Sequence, residues 1–159
     1  MSYMLAKDAL NGKQGKAFIT LHKTTGDEIH ELFSAKKVQT KVDYQKADFK
    51  VIGTPTIQKK ITGASKTGTM TIYLGTPLFT EMAREYEANG KVLYFDLQVT
   101  NEDASASIGK QTIAYYGCSL DTIPLSILDA DADFLEQEVG FSYTTFEVLD
   151  SFTDPATLG

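Results

Sequence analysis

The sequence has 159 residues, 42% hydrophobic and 23% charged, and its 21 acidic and 15 basic side chains give a formal net charge of −6. That length and balance suit one globular domain with its own core and exclude a largely disordered chain. The acidity argues against a sequence-reading binder of nucleic acid, the single cysteine, Cys118, excludes an intrachain disulfide framework, and no run approaches the roughly 18 apolar residues of a membrane span.

Met1–Asn11 carries Lys7 and Asp8 without a long apolar run, which is not the pattern of a signal peptide. Residues 1–12 read as an N-terminal arm. A first strand is predicted at Lys16–Leu21, where Ala17, Ile19 and Leu21 alternate with Lys16, Phe18 and Thr20. Thr24-Thr25-Gly26-Asp27 reads as a hairpin turn, with Glu28–Phe33 returning. In Ala35–Val51, Val38, Thr40, Val42 and Tyr44 share one parity and Lys37, Gln39, Lys41 and Asp43 the other, the mark of a strand with one apolar and one wet face. After Gln45 the apolar set becomes Ala47, Phe49 and Val51, which implies a bulge, twist or turn, and Gly53-Thr54-Pro55 interrupts the strand. Gln58–Ala64 and Gly68–Leu74 read as two strands flanking a turn at Ser65-Lys66-Thr67.

One helix is predicted. Thr76 is placed to cap it, Pro77 to occupy its first position, and Leu78, Phe79, Met82, Ala83 and Tyr86 to form one stripe before Asn89-Gly90 ends it. Strands follow at Lys91–Val99, Gly109–Leu120 and Leu135–Tyr143, separated by the polar loop Asn101–Ser107, a bend at Pro124 and an acidic turn at Asp129–Asp133. A further shift at Thr144-Thr145 is expected to turn Phe146 and Val148 inward, and residues 150–159 read as a loose tail. About eight strands and one helix, with no repeat or linker, make a mainly β single domain over 1–159, an antiparallel β-barrel or sandwich with a helix packed on it.

Signs of chemistry are sparse. Lys66-Thr67 matches the end of a phosphate-binding loop, but Lys60 and Ser65 stand where its glycines belong. His22 and His30 flank a predicted turn, and with Cys118 they do not make a zinc set. Cys118 reads as a small core residue, although a Cys–His pair formed in space would define a hydrolase reading. Asp129, Asp131 and Asp133 alternate like the start of a calcium loop, but Phe134 and Gly140 hold the positions that need glycine and glutamate. Glu136 and Glu138 share a strand face without a third polar partner. Composition and spacing therefore reach an acidic, mostly β domain with no visible catalytic centre, no metal site and no cofactor site.

Leu10–Thr20, Thr62–Tyr73, Phe95–Asp103 and Ile108–Thr112, with the ending Leu120–Val148, resemble in the same order the tail tube proteins of contractile-tailed Bacillus and Clostridium prophages. That family includes the tube subunits of the PBSX prophage and of phage-tail-like bacteriocins. The resemblance implies the tail tube fold and a structural role, not an enzyme: six-membered rings whose strands join into an inner barrel, stacked into a tube. Sheath, tape-measure and baseplate proteins are the implied partners, with DNA or effector passing without specific binding. Assembly in the host cytoplasm, then residence in a virion or phage-tail-like particle, follows from the same likeness.

On that reading the wet strand faces supply lumen candidates: Lys37, Gln39, Lys41, Asp43, Thr69, Thr71, Glu136, Glu138 and Ser142. The loop Gln45–Thr62, carrying Lys46, Lys50, Lys59 and Lys60, is the ring-stacking candidate together with the two termini, and its deletion over Lys46–Lys59 is expected to leave a folded, non-polymerising monomer. An acidic lumen that keeps DNA mobile is a further expectation. The competing readings are a monomeric β-barrel that binds a small molecule or carbohydrate in an enclosed apolar pocket, and a hydrolase using His22 or His30, which predicts a buried histidine beside Cys118 or an aspartate.

Overall fold

The computed structural model describes residues 15–23, 25–32, 35–75, 77–102 and 108–152. Among these residues eight strands and one helix follow in the order β1 (Lys16–Lys23), β2 (Gly26–Glu31), β3 (Ala35–Phe49), β4 (Gln58–Tyr73), α1 (Leu78–Asn89), β5 (Phe95–Glu102), β6 (Lys110–Thr122), β7 (Glu136–Ser142) and β8 (Thr145–Asp150). All pairings are antiparallel, along the path β2-β1-β5-β6-β7-β4-β3, with β8 also pairing β6. The mainly β architecture with one helix is the one expected.

The path folds into two layers because β6 changes partners along its length. Thr112–Tyr116 pair with β8, whereas Ser119, Leu120 and Thr122 pair with β7. The changeover falls at Gly117, whose φ of +65° is a left-handed conformation that glycine adopts without strain. Its N–H donates to Asp96 Oδ1 at 3.3 Å, and its carbonyl accepts from Thr144 Oγ1 at 3.3 Å. Thr144 is the corner between β7 and β8, and its N–H donates to the Tyr116 carbonyl at 3.0 Å. One bulge thus lets β6 belong to both sheets.

Between the layers lie the inward residues of each strand: Ile19 and Leu21 of β1, Phe95 and Leu97 of β5, Met70 and Ile72 of β4, and Val139 and Phe141 of β7, all fully or almost fully buried. Phe95 and Phe141 meet across the interior at 6.2 Å between ring centroids. Each such side chain contributes roughly 1.5–3 kcal/mol on burial, so this set is the main source of stability. Tyr115 ties the layers by a polar contact, its OH 2.6 Å from Thr40 Oγ1, and Tyr143 OH donates to the Lys41 carbonyl at 2.9 Å across the β3-β4-β7 sheet. Helix α1 buries Phe79 and Met82, two members of its predicted stripe, while Tyr86 at the end of that stripe is 55% exposed.

Four local expectations are corrected. Ser65-Lys66-Thr67 is not a turn: these residues pair with Asp43, Val42 and Lys41 inside the unbroken β4. Residues Lys91–Tyr94 stand outside β5, with the Tyr94 carbonyl accepting from the His22 N–H at 3.2 Å. Phe146 and Val148 do not turn inward, being 43% and 46% exposed on the edge strand β8. Pro77 flanks the helix instead of opening it, its carbonyl accepting from Glu81 N–H at 2.9 Å; Gly90 ends the helix in the left-handed conformation, as expected. The cap proposed at Thr76, the arm at 1–12 and most of the tail at 150–159 lie outside the described residues.

Candidate assembly surfaces

Residues opposed across antiparallel strands point to the same side of the sheet, so the register alone places the candidate face. Lys37 opposes Thr71, which opposes Glu138; Gln39 opposes Thr69, which opposes Gly140. Lys41 opposes Thr67, which opposes Ser142, and Asp43 opposes Ser65. Glu136 opposes Tyr73 at the end of the same row. The nine residues chosen from strand parity therefore share one outward face of the β3-β4-β7 sheet, opposite the face that packs Met70, Val139 and Phe141 into the core. Thr71 and Ser142 are half-buried and the other seven are exposed.

This face is polar and nearly balanced in charge. Lys36 Nζ lies 2.7 Å from Glu136 Oε1, and Lys41 Nζ lies 3.2 Å from Asp43 Oδ2. Ser142 Oγ donates to Asp121 Oδ2 at 2.6 Å, bringing in a carboxylate that sequence parity did not flag because a bulge between Leu120 and Thr122 shifts its row. Lys36, Lys37 and Lys41 stand against Asp43, Asp121, Glu136 and Glu138, so 3 − 4 gives −1 on the face. The Glu136 pairing holds the Lys36 ammonium above its ordinary pKa. The chain's net charge of −6 is thus not concentrated here. Thr67, Ser65 and Gly140 complete the face; the parity of Thr69 and Thr71 extended along β4 finds the first two, and that of Glu138 and Ser142 on β7 finds the third.

The second candidate surface is an arm. Strand β7 covers β4 only from Thr67 to Tyr73, while β3 and β4 continue together to Phe49 and Gln58. The predicted loop Gln45–Thr62 is mostly this two-stranded ribbon. The change of apolar parity at Gln45 coincides with a register shift between Gln45 and Lys46, so of the bulge, twist or turn expected there the structure has a bulge. Lys46, Lys50, Lys59 and Lys60 are all exposed on the arm, away from the polar face, with Lys59 paired to Asp48. Around them Tyr44, Phe49, Ile52, Ile57 and Ile61 are at least half exposed, Ile52 completely. A two-stranded ribbon with bare apolar side chains is marginal alone and an obvious surface for association.

The residues weighed for chemistry do not converge. Cys118 is fully buried, with Sγ 3.5 Å from the Tyr115 carbonyl, and burial pushes its thiol pKa up to about 12. His22 instead lies between Asp27 and Asp96, and His30 beside Glu28. Among the described residues no group of three or more His, Cys, Asp or Glu side chains is arranged to hold a metal, and no helix is long and apolar enough to cross a membrane.

A family model described as "Phage tail tube protein" matches residues 2–150. The chain belongs to the phage tail tube protein family. It is a structural tail component, not an enzyme, and a part of a phage tail or phage-like particle. Among its relatives is the phage-like element PBSX protein XkdM of Bacillus subtilis (strain 168), 30% identical over 149 residues covering 94% of this chain and 96% of that protein. The fold is also that of the anti-feeding prophage tube-terminating cap structure, with a TM-score of 0.67, 10% identity, and 94% and 96% of the two chains covered. A sheath-tube complex of an extracellular contractile injection system matches with a TM-score of 0.60 and 13% identity over 84% of this chain and 87% of that one. Tail tube membership displaces both the ligand-binding barrel and the hydrolase readings.

Proposed function

We propose that this tail tube protein forms six-fold rings that stack into a hollow tube. The outward face of β3, β4 and β7 lines the lumen, and the β3–β4 arm contributes to the contact between rings. The observation that carries this reading is the placement of nine polar or charged candidates on one face of a sheet whose other face is core. In a ring, the exposed edge of β3 on one copy and the β6–β7 side of the next bring their sheets into a continuous barrel, which removes free strand edges. A heterologous contact of this kind closes at one rotation, and a second such contact propagates along the axis. The near-neutral face suits passage of DNA or effector without retention, since it offers no basic stripe to hold phosphates.

Sheath, tape-measure and baseplate proteins are the proposed partners. The sheath-tube and cap structures that share the fold support a place among such components. The chain is proposed to act as one domain over 1–159, assembled in the host cytoplasm and then carried in the particle.

The lumen assignment is tested by labelling. Cys118 is buried with a raised pKa and gives little background. Thr69→Cys in assembled tubes is expected to resist a bulky polymer-linked maleimide and to react after dissociation, while Glu87→Cys on α1 reacts in both states. Equal reaction of Thr69→Cys in tubes and in subunits contradicts the assignment.

A further inference from the structure

The β3–β4 arm and the β6–β7 loop lie at opposite ends of the same sheet. Tyr73, at the far end of β4 from the arm, pairs with Glu136, the first residue of β7, and the loop 123–135 runs into that residue. Both ends bare large apolar side chains: Ile52 is 103% and Ile57 50% exposed on the arm, and Leu128 is 99%, Phe134 76% and Leu125 70% exposed on the loop. Phe134 is held edge-on to Tyr73, with 6.2 Å between ring centroids. Their charges are opposite. From Lys46 to Lys60 the arm has four lysines and only Asp48 as an acid, a net +3, whereas the loop 123–135 has three aspartates and no lysine or arginine, a net −3. Lys46, Lys50 and Lys60 on the arm, and Asp129, Asp131 and Asp133 on the loop, make no ion pair among the described residues.

We propose that the arm of one copy docks on the Leu125–Phe134 loop of a copy in the next ring. Apolar contact through Ile52, Ile57, Leu128 and Phe134 supplies the attraction, and the lysine–aspartate complementarity fixes polarity and register. The proposal rests on the stacked-ring reading above and deepens it by naming the surface that receives the arm. Two different patches at the two ends of one subunit make a head-to-tail contact, which runs on along an axis without closing. Because like ends repel, basic against basic and acidic against acidic, the same charges oppose a ring added upside down.

Charge reversal with rescue tests it. Variant one is Lys46→Glu, Lys50→Glu and Lys60→Glu; variant two is Asp129→Lys, Asp131→Lys and Asp133→Lys; variant three carries all six changes. All the positions are exposed, and circular dichroism with a thermal melt checks that each variant is folded. Pelleted tube and tube length are read by centrifugation and electron microscopy at low salt. Variants one and two are each expected to lose at least ten-fold in pelleted tube, variant three to recover most of it, and a mixture of variants one and two to co-assemble better than either alone, because each arm then meets a loop of opposite charge. Normal tubes from variant two while variant one fails overturns the proposed receiving surface and leaves ring stacking intact. Failure of variant three to recover also overturns it. A wild-type protein that forms neither rings nor tubes brings down the stacked-ring reading as well.

Discussion

Gly68 and Phe141 are opposed in the β4–β7 register, and the phenylalanine ring lies across the glycine: a Cβ on Gly68 would come within 2.5 Å of the ring Cζ and 3.0 Å of the Gln39 carbonyl. The aromatic core therefore depends on a missing side chain in the middle of the longest strand. Gly68→Ala is expected to destabilise the subunit by about 1–3 kcal/mol, the usual cost of overpacking. Gly140→Ala, where the nearest atom is 3.6 Å away, is expected to change stability by less than about 0.5 kcal/mol. Urea unfolding of the two variants side by side checks the contrast, and equal midpoints refute it.

His22 bridges two strands electrostatically. Its Nδ1 lies 3.0 Å from Asp27 Oδ1 and its Nε2 2.8 Å from Asp96 Oδ2, while Lys23 and Glu28 pair with each other at 2.8 Å beside it. The hydrogen bond to Asp27, and then that to Asp96, raises its pKa above the ordinary 6.5. The folded state thus holds the proton more tightly than the unfolded state. The stabilisation is fully present below about pH 6.5 and is lost as pH rises through the raised value. Wild type is expected to exceed His22→Gln in melting temperature at pH 6, with the gap closing by pH 8.5. The effect should not exceed about 1 kcal/mol, because these side chains are substantially exposed. A gap that widens with pH contradicts the assignment.

Gln137 is 1% exposed on the core side of β7, and its Nε2 has no hydrogen-bond partner among the described residues. An unpaired buried amide donor costs roughly 1–3 kcal/mol. Gln137→Met, close in size and without the donor, is expected to raise the stability of the isolated subunit by about 1 kcal/mol. A lower urea midpoint for this variant contradicts that expectation.

Deleting Lys46–Lys59 joins Gln45 to Lys60 and leaves Lys60-Ile61-Thr62 as a three-residue loop below the Gln45–Gly63 pair. Three-residue hairpin loops are common, and the removed segment buries none of the core side chains. The shortened chain is expected to keep its β-sheet circular dichroism and a cooperative melt while forming no tubes. Long tubes from this variant would show that the arm is dispensable.

Much of the sheet face was legible because a strand's period of two is written directly into residues such as Val38 to Asp43, and antiparallel pairing preserves parity from strand to strand. The change of parity at Gln45 was legible for the same reason. The turn assigned to Ser65-Lys66-Thr67 failed because small polar residues are also what a strand carries where its face meets water; only the partner strand distinguishes the two cases. Phe146 and Val148 show the converse limit: alternation identifies a strand but not whether anything covers it. The bond from His22 to Asp96 spans 74 residues, so no local pattern announces it. The acidity of Asp129–Asp133 was plain in the sequence, but its place at the opposite end from the lysine-bearing arm emerges only from the register of β4 with β7.

Negative-stain electron microscopy of the purified full-length chain bears most directly on the stacked-ring tube. It would be run over a concentration series, alone and seeded with fragments of the particle's own tail. Hollow tubes of uniform width that resolve into six-fold rings end-on are the predicted result. Single-subunit particles at every concentration, seeded or unseeded, would contradict it.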